Sequence, residues 1–192
     1  MEVSELIEKY QAGERDFSWA DLCGANLSRA SLCGANLSWA NLCSARLSRA
    51  NLSRARLSRA NFCGADLCGA NLNGTDLSGA DLCGADLCGA NLCRASLSRA
   101  NLCGANLCGA RGNGREICSA QIGKYDLIWT AENLWIGCQS APLNVWWNRT
   151  PEDIEQIEQG AGALWTKHRD FIWQMVDQFP ATPTNGKAPK KA

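Results

Sequence analysis

Twelve of the 192 residues are cysteine, and in the stretch from Asn61, NFCGADLCGANLNGTDLSGADLCGADLCGANLCRA, most of them stand in the pair Cys-Gly. Thiolates hold soft ions such as Zn(II) or Cu(I), so a metal site is the first chemistry these residues could do. His168 is the sole histidine. A pairing with Cys138 could make a nucleophile and its base, but neither residue lies in a strained nucleophile turn, and packing on a helix is the preferred role for His168. Arg46, Arg49, Arg54, Arg56 and Arg59, joined further on by Arg94 and Arg99, could contact phosphates. The adjacent Trp146 and Trp147 form a candidate recognition patch. Asp and Asn are spread too evenly to make a convergent acid–base site. No catalytic residue and no cofactor is expected.

What positions these side chains is a repeat. An apolar residue recurs every five positions from Phe17 through Leu22 and Leu27 to Leu107, 19 centres without an insertion. A period of five fits neither the helix, at about 3.6, nor the flat strand, at 2. Two residues before each centre stands Ala, with exceptions such as Arg15 and Thr75; Asn or Asp comes between, and Ser or Cys followed by Gly or Arg comes after. The pattern alternates like a strand for four residues and turns at the fifth. A chain that turns after every short strand, always in one sense, winds a parallel β-helix whose coils lie about 4.8 Å apart. Gly suits the corner, yet Trp19, Arg29, Arg49 and Arg54 also stand there, which predicts a corner without positive φ.

Sorting by twenties gives the cleanest columns: Cys23, Cys43, Cys63, Cys83 and Cys103 in one, Ser18, Ser38, Ser58, Ser78 and Ser98 in another. Four pentads per coil gives these columns, and duplication of a 20-residue unit would give them too. This register sets Arg46 beside Asp66 and Arg56 beside Asp76, exposed pairs that contribute about 0–1 kcal/mol each. It also places the column's sulfurs on a straight line, which does not make a tetrahedral zinc site, and no His stands within the repeat. Cysteine in the repeat reads first as a small outer residue replacing serine, with free thiols, since stacked Cβ atoms at about 4.8 Å exceed the usual disulfide separation.

With the motif A(N/D)L(S/C)(G/R) running from Ala20 to Arg99 and beyond, the chain resembles the pentapeptide repeat family. The resemblance implies a right-handed quadrilateral β-helix and, for most members, no assigned biochemical activity. A few members, the mycobacterial and plasmid-borne quinolone-resistance proteins, resemble a DNA duplex in shape and charge and bind DNA gyrase. A DNA mimic needs an acidic surface, whereas residues 15–111 carry ten Arg against six Asp. Gyrase binding is the runner-up reading.

Four segments follow. Residues 1–14 form a capping helix, with Ser4 as its cap, Leu6, Ile7 and Tyr10 as its stripe and Gly13 as its stop. Residues 15–112 are the repeat. Residues 113–180 are a Trp-rich α+β module: YDLIWT and NLWIGC read as a hairpin around Ala131 and Glu132, Thr150 caps a helix with Pro151 first and Asp153 three residues on, and Ala163 to Gln178 forms a second helix with Leu164, His168, Phe171, Ile172 and Met175 near one side. The module looks similar to one in uncharacterised bacterial and phage-associated proteins. Its Trp129, Trp135, Trp146, Trp147, Trp165 and Trp173 are expected to form a core over the open end of the solenoid. Residues 181–192 are a disordered tail. Trp19 and Trp39, one column on adjacent coils, are expected to pack on the N-terminal helix. The 19 basic and 19 acidic residues cancel and point to no partner. The charged start, MEVSELIEKYQAGERD, has no signal-peptide core, so the compartment is read as cytoplasmic, and no membrane span is expected. The sequence reads as a non-enzymatic solenoid offering a polar surface to an unknown protein partner, with nucleic acid disfavoured, oligomeric state open, and a thiol-rich soft-metal binder as a further alternative.

Overall fold

A computed structural model describes residues 1–113, 117–122, 125–130, 133–136, 139–142, 148, 150–157 and 161–178. Residues 16–111 wind a solenoid in which each parallel bridge joins residues 20 apart, from Asp16 with Asn36 to Asn91 with Arg111. Four pentads therefore make one coil, one on each side of a square. The centres fill the axis: Phe17 through Leu97 and Leu107 are at most 3% exposed, and Leu102 is partly buried. Each such side chain contributes about 1.5–3 kcal/mol on full burial. Thr75 replaces Ala on the inner face and satisfies its hydroxyl by donating to Leu72 O at 2.8 Å.

The five N–H groups of one pentad explain its composition. In Asn41–Ala45, Asn41 donates back to Ala20 O at 2.9 Å, Leu42 and Ser44 donate forward to Asn61 O and Cys63 O at 2.7 and 2.9 Å, and Ala45 closes the turn on Leu42 O at 3.1 Å. The remaining N–H, of Cys43, donates to Asn41 Oδ1 at 3.3 Å. Backbone donors in a packed fold must all find acceptors, so the second position calls for a short side-chain oxygen. Asn and Asp supply it; Arg46 and Arg56, which carry only donors, cannot.

The corners differ from the sequence expectation. The φ angle is 63° at Trp19, 62° at Arg29, 57° at Arg49 and 59° at Arg54, the left-handed region that costs an L residue about 1–2 kcal/mol. Hydrogen bonding imposes it. The N–H of Trp19 is held by Ser38 O at 3.0 Å and that of Ala20 by Phe17 O at 3.2 Å, so the corner is fixed on both flanks whatever its side chain.

Helix α1 (Val3–Gln11) lies on the first coil. Leu6 is fully buried, and Val3, Ile7 and Tyr10 pack against the solenoid core, with the Tyr10 hydroxyl donating to Cys33 O at 2.9 Å. Ser4 is not the cap: the N-cap is Glu2, without a side-chain bond, and Ser4 falls inside the first turn. The far end closes as a Schellman motif, Gly13 N–H to Tyr10 O at 3.1 Å and Glu14 N–H to Lys9 O at 3.0 Å, with Gly13 at φ 99°.

Beyond the repeat, Asn113 donates to Ala95 O at 3.1 Å and accepts from Ile117 N–H at 3.0 Å, and Ile117 joins the core. Strands β1 (Cys118–Ile122), β2 (Tyr125–Trp129), β3 (Asn133–Ile136) and β4 (Gln139–Pro142) form an antiparallel sheet in chain order. Leu134 faces Trp129 across β2 and β3; the expected turn at Ala131 and Glu132 lies outside the described residues. Helix α2 (Pro151–Ile157) opens on a reciprocal cap, Asp153 N–H to Thr150 Oγ1 at 3.2 Å and Thr150 N–H to Asp153 Oδ2 at 2.9 Å. It packs on α3 (Ala161–Gln178), where Trp165, Ile172 and Val176 are buried and His168 is half-buried. Trp129 is buried too, whereas Trp173 is 49% exposed and does not belong to a core. Trp146, Trp147, Cys138 and residues 179–192 lie outside the described residues. No described helix is long and apolar enough to cross a membrane.

Candidate interaction surface

Trp19 and Trp39 do not pack on α1. They stand outward, 68% and 42% exposed, and stack on each other with ring centroids 4.8 Å apart and planes within 8°. The next residue in their column continues the stack, with the Arg59 guanidinium 4.6 Å from the centroid of the Trp39 ring. A cation over an indole face is attracted by the ring quadrupole, so the three side chains hold one another in register along a corner. The bridge geometry places residues 20 apart on successive coils, which brings these side chains together.

The five arginines singled out in sequence all lie exposed on the coil formed by residues 41–60. They occupy three of its four sides: Arg46 and Arg49 share one side, Arg54 holds the next corner, and Arg56 and Arg59 follow on the side of the indole stack. Only Arg59 engages an aromatic ring within the repeat. Arg46 bridges to Asp66 and Arg56 to Asp76 through backbone, but neither closes an ion pair; among the described residues the ion pair is Glu5 with Lys9, at 2.8 Å. The acceptor oxygens of the second positions form their own ladders, for example Asn36 Nδ2 to Asp16 Oδ1 and Asn41 Nδ2 to Asp21 Oδ1, both 2.9 Å. Hydrogen bonds from the Ser18 hydroxyl and then its N–H hold the Asp16 carboxyl below the ordinary carboxylate range.

The cysteines of the repeat are thiols. Cys23 and Cys103 are exposed, and Cys33, Cys43, Cys63, Cys68, Cys83, Cys88 and Cys93 are half-buried. Desolvation, and after it the next sulfur in the column, pushes the thiols of Cys23, Cys68 and Cys83 up. Such thiols stay protonated near neutrality, unlike activated nucleophiles. Among the described residues no three or more His, Cys, Asp or Glu side chains converge on a metal position.

A square solenoid of pentads, with leucines on its axis and its larger polar and aromatic side chains displayed outward, is a β-solenoid scaffold of the repeat class. The family model for pentapeptide repeats matches residues 16–49, 45–82 and 75–111 with eight copies, together half of the chain, and the chain belongs to that family. Among solved structures it is similar to HetL, a pentapeptide repeat protein involved in heterocyst differentiation regulation from the cyanobacterium Nostoc sp. strain PCC 7120: 43% identity, 59% of this chain and 48% of that one covered, TM-score 0.59. This chain thus spans about half the length of HetL. A pentapeptide repeat protein of the Arabidopsis thaliana thylakoid lumen is 33% identical, with 54% of this chain and 59% of that one covered and a TM-score of 0.37. QnrB1, a plasmid-mediated fluoroquinolone resistance protein, is 22% identical, with 50% and 51% covered and a TM-score of 0.35. No curated protein matches the chain.

From sequence, Trp19 and Trp39 fit a cap on the N-terminal helix and an exposed anchor alike. The signal that distinguishes the two is Arg59, the next residue in the same column of twenties.

Proposed function

We propose that this chain is a non-catalytic scaffold that docks a protein partner on the corner built by Trp19, Trp39 and Arg59. The exposed indole stack carries the proposal. Tryptophan and arginine are the residue types that dominate binding energy at protein interfaces, and these are pre-ordered by stacking, which lowers the entropy lost on docking. The fitting partner offers an apolar group to the indoles and a carboxylate to Arg59. The likeness to HetL, a protein involved in a regulatory process, supports interaction rather than catalysis as the role. Single-stranded nucleic acid fits less well, because the two rings already stack on each other at 4.8 Å and leave no slot for a base between them. Gyrase binding by DNA mimicry gains no support from a solenoid whose coil of residues 41–60 displays five arginines. Thiols along the repeat are compatible with a cytoplasmic, reducing compartment.

The corners allow a clean test. Glycine suits their positive φ, so Trp19→Gly/Trp39→Gly/Arg59→Gly removes the displayed side chains while relieving the backbone. A partner captured by the wild-type chain should be lost on the triple variant, whose thermal unfolding stays wild-type or better. Equal capture by both proteins would overturn the reading.

A further inference from the structure

We propose that the column Cys23, Cys43, Cys63, Cys83 and Cys103 is a binding ladder for soft monovalent cations of the Cu(I) and Ag(I) type, each ion held linearly between two sulfurs of adjacent coils. The straight line that rules out a zinc tetrahedron is the arrangement a two-coordinate ion needs. Parallel bridges place the five residues at the same point of successive coils, about 4.8 Å apart. On the scale of the zinc–thiolate bond, about 2.3 Å, two metal–sulfur bonds end to end span about 4.6 Å, with Cu(I) somewhat shorter and Ag(I) somewhat longer. The five side chains hold the same turn position on successive coils, so an ion on the column axis lies between neighbouring sulfurs.

Several observations support the fit. Elsewhere in the solenoid, side chains 20 apart close to 3.3 Å for Ser48 and Ser28 and 3.4 Å for Ser53 and Cys33, so the span adjusts on the short side. The column ends are exposed and its middle half-buried, which gives ions access. A disulfide wants its Cβ atoms at about 3.8 Å, closer than the coils stand, so oxidation does not readily compete. Binding one Cu(I) breaks two S–H bonds, forms two Cu–S bonds, releases two protons and leaves a complex of charge −1; no electron changes hands.

The pairing rule makes unequal predictions for equal substitutions. Five sulfurs in a row seat two ions, as separate pairs. Cys63→Ser leaves two adjacent pairs and should keep both ions. Cys43→Ser isolates Cys23 and should keep one; Cys43→Ser/Cys83→Ser leaves no adjacent pair and should keep neither. Serine fills the whole Ser18 column, so the substitutions suit the fold, and thermal unfolding of each variant verifies it. Reduced full-length chain is titrated anaerobically with Cu(I) against a colorimetric Cu(I) chelator, and X-ray absorption counts the sulfurs per ion. The expected result is a loss relative to wild type of no ion for Cys63→Ser, one for Cys43→Ser and two for Cys43→Ser/Cys83→Ser, with two sulfurs around each copper. Equal copper loss from Cys63→Ser and Cys43→Ser, or a shell of three or more sulfurs, would overturn the proposal. Docking at the indole corner involves none of these residues, so the two readings stand or fall separately.

Discussion

The coil of residues 41–60 and the coil of residues 61–80 share one hydrogen-bond frame and differ at every corner. The first carries Ser44, Arg49, Arg54 and Arg59, at φ between 54° and 59°; the second carries Gly64, Gly69, Gly74 and Gly79, at φ between 65° and 69°. The two sets are matched. A Cβ added to those four glycines would meet Ser44 Oγ at 3.7 Å, Arg49 Cγ at 3.4 Å, Arg54 Cγ at 3.9 Å and Arg59 Cγ at 3.4 Å, whereas at Gly84 and Gly89 it would meet nothing. A loaded corner lays its side chain along the solenoid axis onto the next corner, and glycine there leaves a flat seat. The arginine coil also gives up two turn acceptors, at positions 46 and 56, and accepts left-handed strain at its corners. The glycine coil makes none of these concessions to stability.

The comparison breaks most completely if the shared frame fails. Leu57, fully buried under the arginine coil, should cost about 2–5 kcal/mol as Leu57→Ala, read as a loss of denaturant midpoint. Next in size is a loaded residue in a glycine seat. Gly79→Val puts a β-branched side chain at φ 69°, for about 1–3 kcal/mol, and crowds Arg59 at 3.4 Å. Gly84→Val suffers the strain without the crowding. Gly79→Val should therefore be the more destabilising, and it alone should shift the tryptophan fluorescence, because Arg59 lies over Trp39. Equal effects in both measurements would mean that the seats are not matched.

Much of this frame is legible in sequence because each position has a single physical task. The centres are apolar because they fill the axis, and Ala precedes them because the narrow coil has no room for a second large side chain. The twenty-residue columns give the register of bridges such as Asn61 with Asp81. The corner conformation is not legible in that way. Trp19 and Arg49 are poor residues for positive φ, and only the bonds from neighbouring coils show why they adopt it. The outward stack of Trp19 and Trp39 is likewise decided by a third residue, Arg59, which is 20 positions further on. At Ser4 local capping chemistry was available, but helix α1 begins at Val3, where packing of Val3, Leu6, Ile7 and Tyr10 on the first coil sets its frame.

Unloading a corner should have the opposite sign. Arg54→Gly relieves left-handed strain of about 1–2 kcal/mol and adds unfolded-state entropy of about 0.5–1 kcal/mol. The net expectation is a stabilisation of about 0–1.5 kcal/mol, measured as a raised denaturant midpoint. Applied to the glycine coil, where Gly74 already sits in the same column, no such gain remains. A destabilised Arg54→Gly chain would show that the Arg54 stem over Gly74 contributes more through packing than the corner loses through strain.

The smallest effect concerns the acceptor that the arginine coil lacks. Asp16 heads the column that continues through Asn36 to Arg56 and Asp76. Its Oδ1 accepts from Ser18 N–H at 3.0 Å and from Asn36 Nδ2 at 2.9 Å. These bonds favour the carboxylate, led by the Ser18 hydroxyl, and the Arg56 charge adds a minor share, so the folded pKa lies below the unfolded one. The associated stability is present at pH values above the unfolded carboxylate pKa and is lost as pH falls through the folded value. Asp16→Asn keeps an Oδ1 in place, as Asn36 does for Ser38 N–H at 3.2 Å. It should match the wild type at neutral pH and lose less stability on acidification. NMR titration of the Asp16 carboxyl gives the direct check: a midpoint at or above the ordinary carboxylate value would show that the turn bond does not favour the charged form, and that Asn and Asp are interchangeable at this position at every pH.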